Sequence, residues 1–413
     1  MKTSKRLLAQ ALGWIVVILL IGVSSGLASA FFLEALGWIT NYRAAHPFII
    51  WFLPLGGLCI GFVYHLYGKE IVKGNNLILE EYENPQRPIP LIMAPLILVC
   101  TLITHLFGGS AGREGTAVQM ATAIADRFTS LFQFEPHERK TILILGISAG
   151  FAAVFGTPVT AAVFALELMT FKRIRLQSIL PAFLVAYIAY YTVAALQVQH
   201  VHYAIPSIPQ LTVTNGFWAV VTGIAFGLAA MLFTKNIQLW ENIFSKYIPF
   251  ALLRPFFGGF LIVLAIMIIG PEYAGLGIPT ILASFTHYQD FTVFLFKILI
   301  TGCTLGAGFK GGEVTPLFFT GAALGSALSL FVPLPMGLLA GMGFVAVFSG
   351  ATHTPIACTI MGMELFGYEC GIYTGIACLM AYYCSGTSGI YKSQVIEGSK
   401  IRLYQKLKRY TLF

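Results

Sequence analysis

The chain has 413 residues, of which 57% are hydrophobic and only 10% charged, against roughly 25% charged in soluble domains. That composition excludes a soluble domain, and continuous apolar runs of about 15 to 22 residues argue against the alternating strands of a β-barrel. The formal net charge of +8 is what a membrane protein carries toward anionic headgroups, and it requires no nucleic-acid partner.

In chain order, apolar spans are predicted at 10–34, 48–67, 89–107, 138–156, 178–198, 214–233, 255–271, 291–307, 333–350 and 370–385. The first runs past Ala28 without a processing signal and reads as a retained anchor. Four further segments, at 113–130, 157–170, 312–329 and 354–367, are short or rich in glycine and proline. A simple span needs about 20 residues, so these are expected to stop midway or to lie in the interface. Helix ends with unpaired amides can then sit inside the membrane. Gly74-Asn75-Asn76 is a polar island, either a loop or a donor of amides to a cavity.

Basic residues gather at Lys2, Lys5 and Arg6, at Lys172, Arg173 and Arg175, and from Lys392 to Arg409. The positive-inside rule places all three groups, and so both termini, in the cytoplasm. The expected division is a cytoplasmic N-terminus at 1–10, a first membrane repeat at 11–200, a linker at 201–213, a second repeat at 214–391 and a basic tail at 392–413. The tail is expected to be a short amphipathic helix or to stay irregular. Seven cysteines stand singly, with no CxxC pair or His/Cys cluster, so neither a metal site, a disulfide framework nor a cofactor is indicated. Nothing in the chain suggests an enzyme.

The two repeats are legible as text. Gly109-Ser-Ala-Gly112-Arg-Glu114-Gly-Thr116 returns 199 residues later as Gly308-Phe-Lys-Gly311-Gly-Glu313-Val-Thr315. Phe151-Ala-Ala-Val-Phe155, then Pro158 and Glu167, is answered by Phe344-Val-Ala-Val-Phe348, then Pro355 and Glu364. Pro54-Leu-Gly-Gly57 returns as Pro255-Phe-Phe-Gly258. Matched breaks in two apolar halves are the mark of a transporter-like fold whose broken helices meet near the midplane.

The glycines around Glu114 let the chain turn and expose successive amide N–H groups at the start of a helix. Such amides hold an anion without any lysine. A carboxylate on the same turn can take the anion's place and, once protonated, vacate it. The plainer alternative is a helix cap. Arg113 reads better as a structural partner or snorkelling residue than as a ligand, and Glu313 as a second proton or gating group or as a partner of Lys310. Glu167 and Glu364 read best as caps or as interfacial residues. His105 and His353 read as hydrogen-bonded core residues, and Tyr391 as an interfacial tyrosine or a hydroxyl donor to an anion.

These residues together resemble the CLC family of chloride channels and anion/proton antiporters, over about residues 10–395. Gly112-Arg113-Glu114-Gly115 is similar to its GREG segment, and Gly312-Glu313-Val314-Thr315-Pro316 to its G-x-F-x-P segment. Tyr391 resembles the tyrosine over the central anion site, and Phe151–Glu167 the long helix at the subunit interface. The chain departs from chloride-type members at Thr116 (proline there), at Val314 (phenylalanine), at Asn75 (the serine of G-S-G-I-P) and at Leu168, where an inner glutamate is expected.

Those departures resemble the fluoride-exporting branch. The resemblance implies an all-α integral membrane protein with a CLC-type fold of two inverted repeats with broken and tilted helices. It further implies a multi-pass homodimer in a bacterial inner membrane, free of cofactors, exchanging cytoplasmic fluoride for external protons. It implies Glu114 as gate and proton carrier, with Glu313 a second candidate, and an anion path along Asn75, Gly112, Arg113, Gly115, Thr116, Gly312, Val314, Thr315 and Tyr391. A chloride/proton antiporter or passive anion channel on the same fold is the alternative, and a non-transporting membrane scaffold the alternative of another class.

Overall fold

The structure, a computed structural model, describes residues 2–169, 176–396 and 399–410. The expected basic cluster at Lys172, Arg173 and Arg175 lies outside the described residues. Among the described residues the chain is helical, with no sheet and an isolated antiparallel bridge between Gly112 and Gly312.

The first half comprises α1 (Lys2–Ala45), α2 (Leu53–Tyr67), α3 (Asn75–Glu83), α4 (Met93–Leu106), α5 (Glu114–Leu131), α6 (Pro136–Phe155), α7 (Pro158–Met169) and α8 (Leu176–Ala195). The second comprises α9 (Val213–Tyr247), α10 (Arg254–Ile269), α11 (Ile278–Ala283), α12 (Phe291–Gly306), α13 (Val314–Leu328), α14 (Met336–Thr352), α15 (Pro355–Phe366) and α16 (Gly371–Cys384). A last helix, α17 (Ser399–Tyr410), follows. Packing repeats with the order: α5 lies on α6 as α13 lies on α14, and α1 on α8 as α9 on α16, while α2 meets α10 across the halves.

Among the described residues five stretches are long and apolar enough to span a membrane: Ala11–Ala45, Pro47–Tyr67, Leu176–Ala195, Val213–Tyr247 and Ala251–Ile269. The remaining apolar helices of 10–17 residues, α7, α13 and α15 among them, are too short for a simple crossing. α1 runs without interruption from Lys2 for 44 residues, across the expected boundary at residue 10. At 1.5 Å per residue that is roughly 66 Å, about twice the hydrocarbon core, so the helix projects beyond the bilayer.

Local chemistry sets the breaks. α6 starts on a capping box, Glu135 with Glu138, and Pro136 in its first turn. It stops at Gly156, in the left-handed region at φ 75°, so the Phe151–Glu167 stretch is two helices instead of one. The matching break in the second half falls on His353, a non-glycine residue at φ 59°.

Across these breaks the halves lock reciprocally. Glu167, near the end of α7, accepts from the N–H groups of Ile356 (3.0 Å) and Ala357 (2.7 Å) at the start of α15. Glu364, near the end of α15, accepts from Val159 N–H (3.1 Å), Thr160 N–H (2.8 Å) and Thr160 Oγ1 (2.7 Å) at the start of α7. Both carboxylates are therefore caps, each on the opposite half's helix.

Aromatic rings fill the centre. Phe318 stacks on Phe344 with centroids 3.9 Å apart, and Phe348 lies 5.6 Å from Phe164 and 5.2 Å from Phe318. α13 and α14 meet at Gly321 and Gly343, where a Cβ on either would collide with the other's carbonyl oxygen. Arg139 binds both oxygens of Asp126 (2.9 and 2.8 Å) and reaches Glu81 at 2.8 Å, which ties α3, α5 and α6 together through a satisfied buried network.

Candidate functional site

The site begins with two turns. Gly108 at φ 87° and Gly308 at φ 100° redirect the chain after α4 and α12. Four residues on, Gly112 and Gly312 pair with each other, Gly112 N–H donating to Gly312 O at 2.5 Å and Gly312 N–H to Gly112 O at 2.8 Å. The pairing brings the first turns of α5 and α13 face to face. Neither helix is capped by the side chain that precedes it, so their leading amides are open to another acceptor.

Glu114 is that acceptor for α13. Its carboxylate takes the Thr315 N–H at 3.1 Å, and the Thr315 hydroxyl lies 2.6 and 2.7 Å from its two oxygens. Arg113 N–H adds a bond of 3.1 Å. The Arg113 guanidinium is farther off, Nε standing 3.6 Å from Oε1. Glu114 is 2% exposed, so a buried negative group sits where helix N-termini concentrate positive potential. The glycines leave it room: a Cβ on Gly112 would stand 2.9 Å from Glu114 Oε2, and one on Gly312 would stand 2.7 Å from Gly115 N.

Glu313 faces the other way. Its Oε2 is buried without a hydrogen-bond partner. A Cβ on Gly115 would lie 3.6 Å from that oxygen and 3.1 Å from Asn75 Nδ2, so both side chains approach the first turn of α5. The expected partner of Glu313, Lys310, instead holds its ammonium 4.0 Å over the Tyr64 ring.

The polar island is a helix start: Gly74, at φ 55°, precedes α3, and Asn75 is its first residue. Asn75 Oδ1 is also buried without a partner. Asn75, Ile78, Leu79, Val118, Ile147, Leu168 and Tyr391 enclose a cavity of about 10 Å³, room for one species of water size.

Thr116 and Val314 sit apart from these groups. The Thr116 hydroxyl pairs with Thr101 Oγ1 on α4 at 2.8 Å, and Val314 is packed at the head of α13 with 1% exposure. His105 is fully buried, both ring nitrogens without partners. Sequence reasoning missed the aliphatic cavity wall of Val118 and Ile147, since buried aliphatics in an apolar helix carry no distinguishing signal. It also missed Ser393, which bonds to Asn76 Oδ1 and Glu80 Oε1 at 3.0 Å each and so seats the segment after Tyr391 beside α3.

Comparison with known proteins agrees with this geometry. Residues 56–386 match the family described as Voltage gated chloride channel. A "Chloride/fluoride channel protein" of Pseudomonas syringae pv. tomato is 44% identical over 394 residues, covering 94% of this chain and 87% of its own. The "H(+)/Cl(-) exchange transporter ClcA" of Cronobacter sakazakii is 25% identical over 402 residues, 88% of this chain and 84% of its own. The crystal structure of a CLC-type fluoride/proton antiporter superposes with a TM-score of 0.90 at 34% identity, over 93% of this chain and 98% of that one. A slow cyanobacterial Cl−/H+ antiporter, at 18% identity, shares the fold with a TM-score of 0.79 over 96% of this chain and 98% of its own. The family match, the shared helical fold and the close bacterial relative together show that this chain is a multi-pass bacterial membrane protein belonging to the CLC, or voltage gated chloride channel, family.

Proposed function

We propose that this protein exports fluoride from the cytoplasm in exchange for protons, with Glu114 as gate and proton carrier. The observation that carries the reading is the seat of the Glu114 carboxylate on the Thr315 N–H and hydroxyl. An anion of one charge and the carboxylate compete for that seat. Protonation removes the charge that charge-assisted bonds and the helix end hold in place, so the side chain leaves and fluoride enters. Fluoride, small and a strong acceptor, suits short N–H and O–H donors. When the carboxylate loses its proton and returns, it displaces the anion, and the two movements are coupled through one seat. The names of the 44% identical relative and of the 34% identical antiporter support fluoride as the cargo.

In this reading Gly112, Gly312 and Gly115 keep the path open to backbone amides, Arg113 contributes its N–H, and Asn75 and Tyr391 line the cavity that receives the ion. Thr116 and Val314 serve as framework beside it. Glu313, buried with an unpartnered oxygen, is the second titrating group. Residues 11–200 and 214–391 form the two halves, joined at 201–213, and the protein works as a homodimer with both termini in the cytoplasm. A strictly monomeric mass after cross-linking in detergent would sink the dimer, and labelling of Lys392→Cys by an impermeant reagent from outside would sink the orientation.

The test is halide-resolved flux with simultaneous proton uptake in liposomes containing the purified protein. Fluoride flowing down its gradient should drive protons uphill. The word channel in the relative's name keeps one second reading in play: fluoride or chloride flux with no coupled proton movement would replace exchange by passive conduction.

A further inference from the structure

Lys400, on α17, is fully buried although it belongs to the basic tail. Its Nζ lies 2.8 Å from His353 Nδ1, 3.0 Å from Ser385 Oγ and 4.5 Å over the Tyr382 ring. Among the described residues these partners are neutral; no carboxylate meets the ammonium. Burying a long cationic side chain in such surroundings is costly, and headgroup attraction does not explain it, because a headgroup contact needs an exposed lysine such as Lys406. Two more residues of the helix are seated on the same short stretch. Tyr404 OH donates to Tyr383 O at 3.0 Å and accepts from Gly386 N–H at 3.1 Å, while Ser399 Oγ lies 2.9 Å from Tyr383 OH.

What Lys400 holds leads to the cavity. His353 stands in the left-handed region at the break between α14 and α15, with Nε2 buried and unpartnered. Gly389 lies against that ring: a Cβ there would be 3.1 Å from His353 Nε2 and 2.9 Å from Ala351 O. The next residue, Ile390, donates its N–H to Ala351 O at 2.9 Å, and the one after is Tyr391, in the cavity wall with Asn75.

We infer that Lys400 is a positioning residue for the anion path: it seats His353 against the Gly389 turn and so fixes the Tyr391 ring at the cavity. The inference rests on the reading of that cavity as part of the fluoride path. The tail helix is then a component of the transport site, not only an anchor to the membrane surface.

The experiment uses full-length protein in liposomes, comparing wild type, Lys400→Met, Lys406→Met, Tyr391→Phe and Lys400→Met combined with Tyr391→Phe. Each is also prepared, where Tyr391 is retained, with a fluorotyrosine at position 391 read by fluorine NMR. Lys400→Met should raise the KM for fluoride on the order of tenfold, the loss of about one ordinary hydrogen bond. It should leave the protons moved per fluoride unchanged and shift the resonance of residue 391. Lys406→Met should do neither, and Lys400→Met should add nothing to the KM of Tyr391→Phe.

A wild-type KM with an unmoved resonance would overturn the inference. So would a fall in maximal rate alone, the signature of a mere brace, or additive effects of the two substitutions. If Lys400→Met fails to assemble, as size-exclusion chromatography would reveal, Ser385→Ala takes its place with the same expected directions and smaller size. Absence of fluoride flux in the wild type would sink the transport reading separately. The resonance of residue 391 would then decide the positioning claim by itself.

Discussion

Glu114 and Glu313 answer each other in the text of the two halves at an offset of 199 residues, but the folded turns match at an offset of 200, Gly112 against Gly312, and the surroundings of the two carboxylates differ. Glu114 is held by the Thr315 hydroxyl and amide. Glu313 has an oxygen buried with no partner. The register of the two turns holds the difference. α5 begins at Glu114 and α13 at Val314, so Glu114 stands on the first turn of its helix while Glu313 stands one residue before its own. Thr315 turns its hydroxyl toward Glu114, while the Thr116 hydroxyl is paired with Thr101. A shift of one residue between two copies of a motif leaves one carboxylate seated and one carboxylate oxygen without a partner.

The largest expected effect comes from removing the occupant of the filled seat. Glu114→Gln keeps size and shape but carries no proton, so fluoride-driven proton uptake should fall to the level of protein-free liposomes while assembly survives. Undiminished coupling would reduce Glu114 to a helix cap and move the proton path to Glu313. Glu313→Gln should come next, lowering the protons moved per fluoride without abolishing fluoride flux; an unchanged ratio would remove Glu313 from the titrating groups.

The threonines sharpen the contrast. Thr315→Val and, more weakly, Asn75→Ala should lower the fluoride-to-chloride flux ratio, on the order of tenfold for Thr315, for the loss of one donor. Thr116→Val should leave the ratio alone and cost about 1 kcal/mol of stability. Equal ratios across all three would mean that the hydroxyl toward Glu114 does not select the ion.

The caps bear on the same symmetry from outside the site. Glu364→Gln and Glu167→Gln each weaken one reciprocal lock, and each should lower the thermal midpoint in detergent by an amount matching about 1 kcal/mol, with fluoride selectivity intact. A selectivity change in either would show the locks to be part of the path.

The smallest expected effect is a pH dependence of tail docking. Burial lowers the Lys400 ammonium from 10.5 to about 7, with His353, Tyr382 and Cys384 the titratable groups that face it. An undocked lysine keeps its proton up to its ordinary value, so between about 7 and 10.5 the undocked tail binds more protons. Docking therefore strengthens as pH rises through that window and is weakest below about 7. Hydrogen exchange of α17 on either side of that pH should be faster on the acid side, and Lys400→Met should abolish the difference.

Much of this was legible in the chain. Apart from the first and sixth spans, whose helices run on to Ala45 and Tyr247, the predicted spans and the four short segments correspond to helices that begin and end within a few residues of expectation, because apolar length and Gly/Pro punctuation are local properties. The duplicated breaks and their carboxylates were equally visible. Less legible were the start of α3 at Asn75 and the burial of Lys400, since each depends on a neighbour distant in sequence.

Sequence alone determined that the protein is an α-helical membrane protein of two matching halves with a carboxylate in each break, since hydrophobic run length and glycine placement act through the chain's own backbone. Only the tertiary structure decided that Glu114 is bound by the opposite half's Thr315, that Glu167 and Glu364 cap each other's helices, and that a tail lysine reaches His353. Those outcomes turn on which hydroxyl, amide or ring nitrogen finds a partner. In a low-dielectric interior a polar group takes whatever donor the packing brings within about 3 Å, and that is settled only when both halves have met.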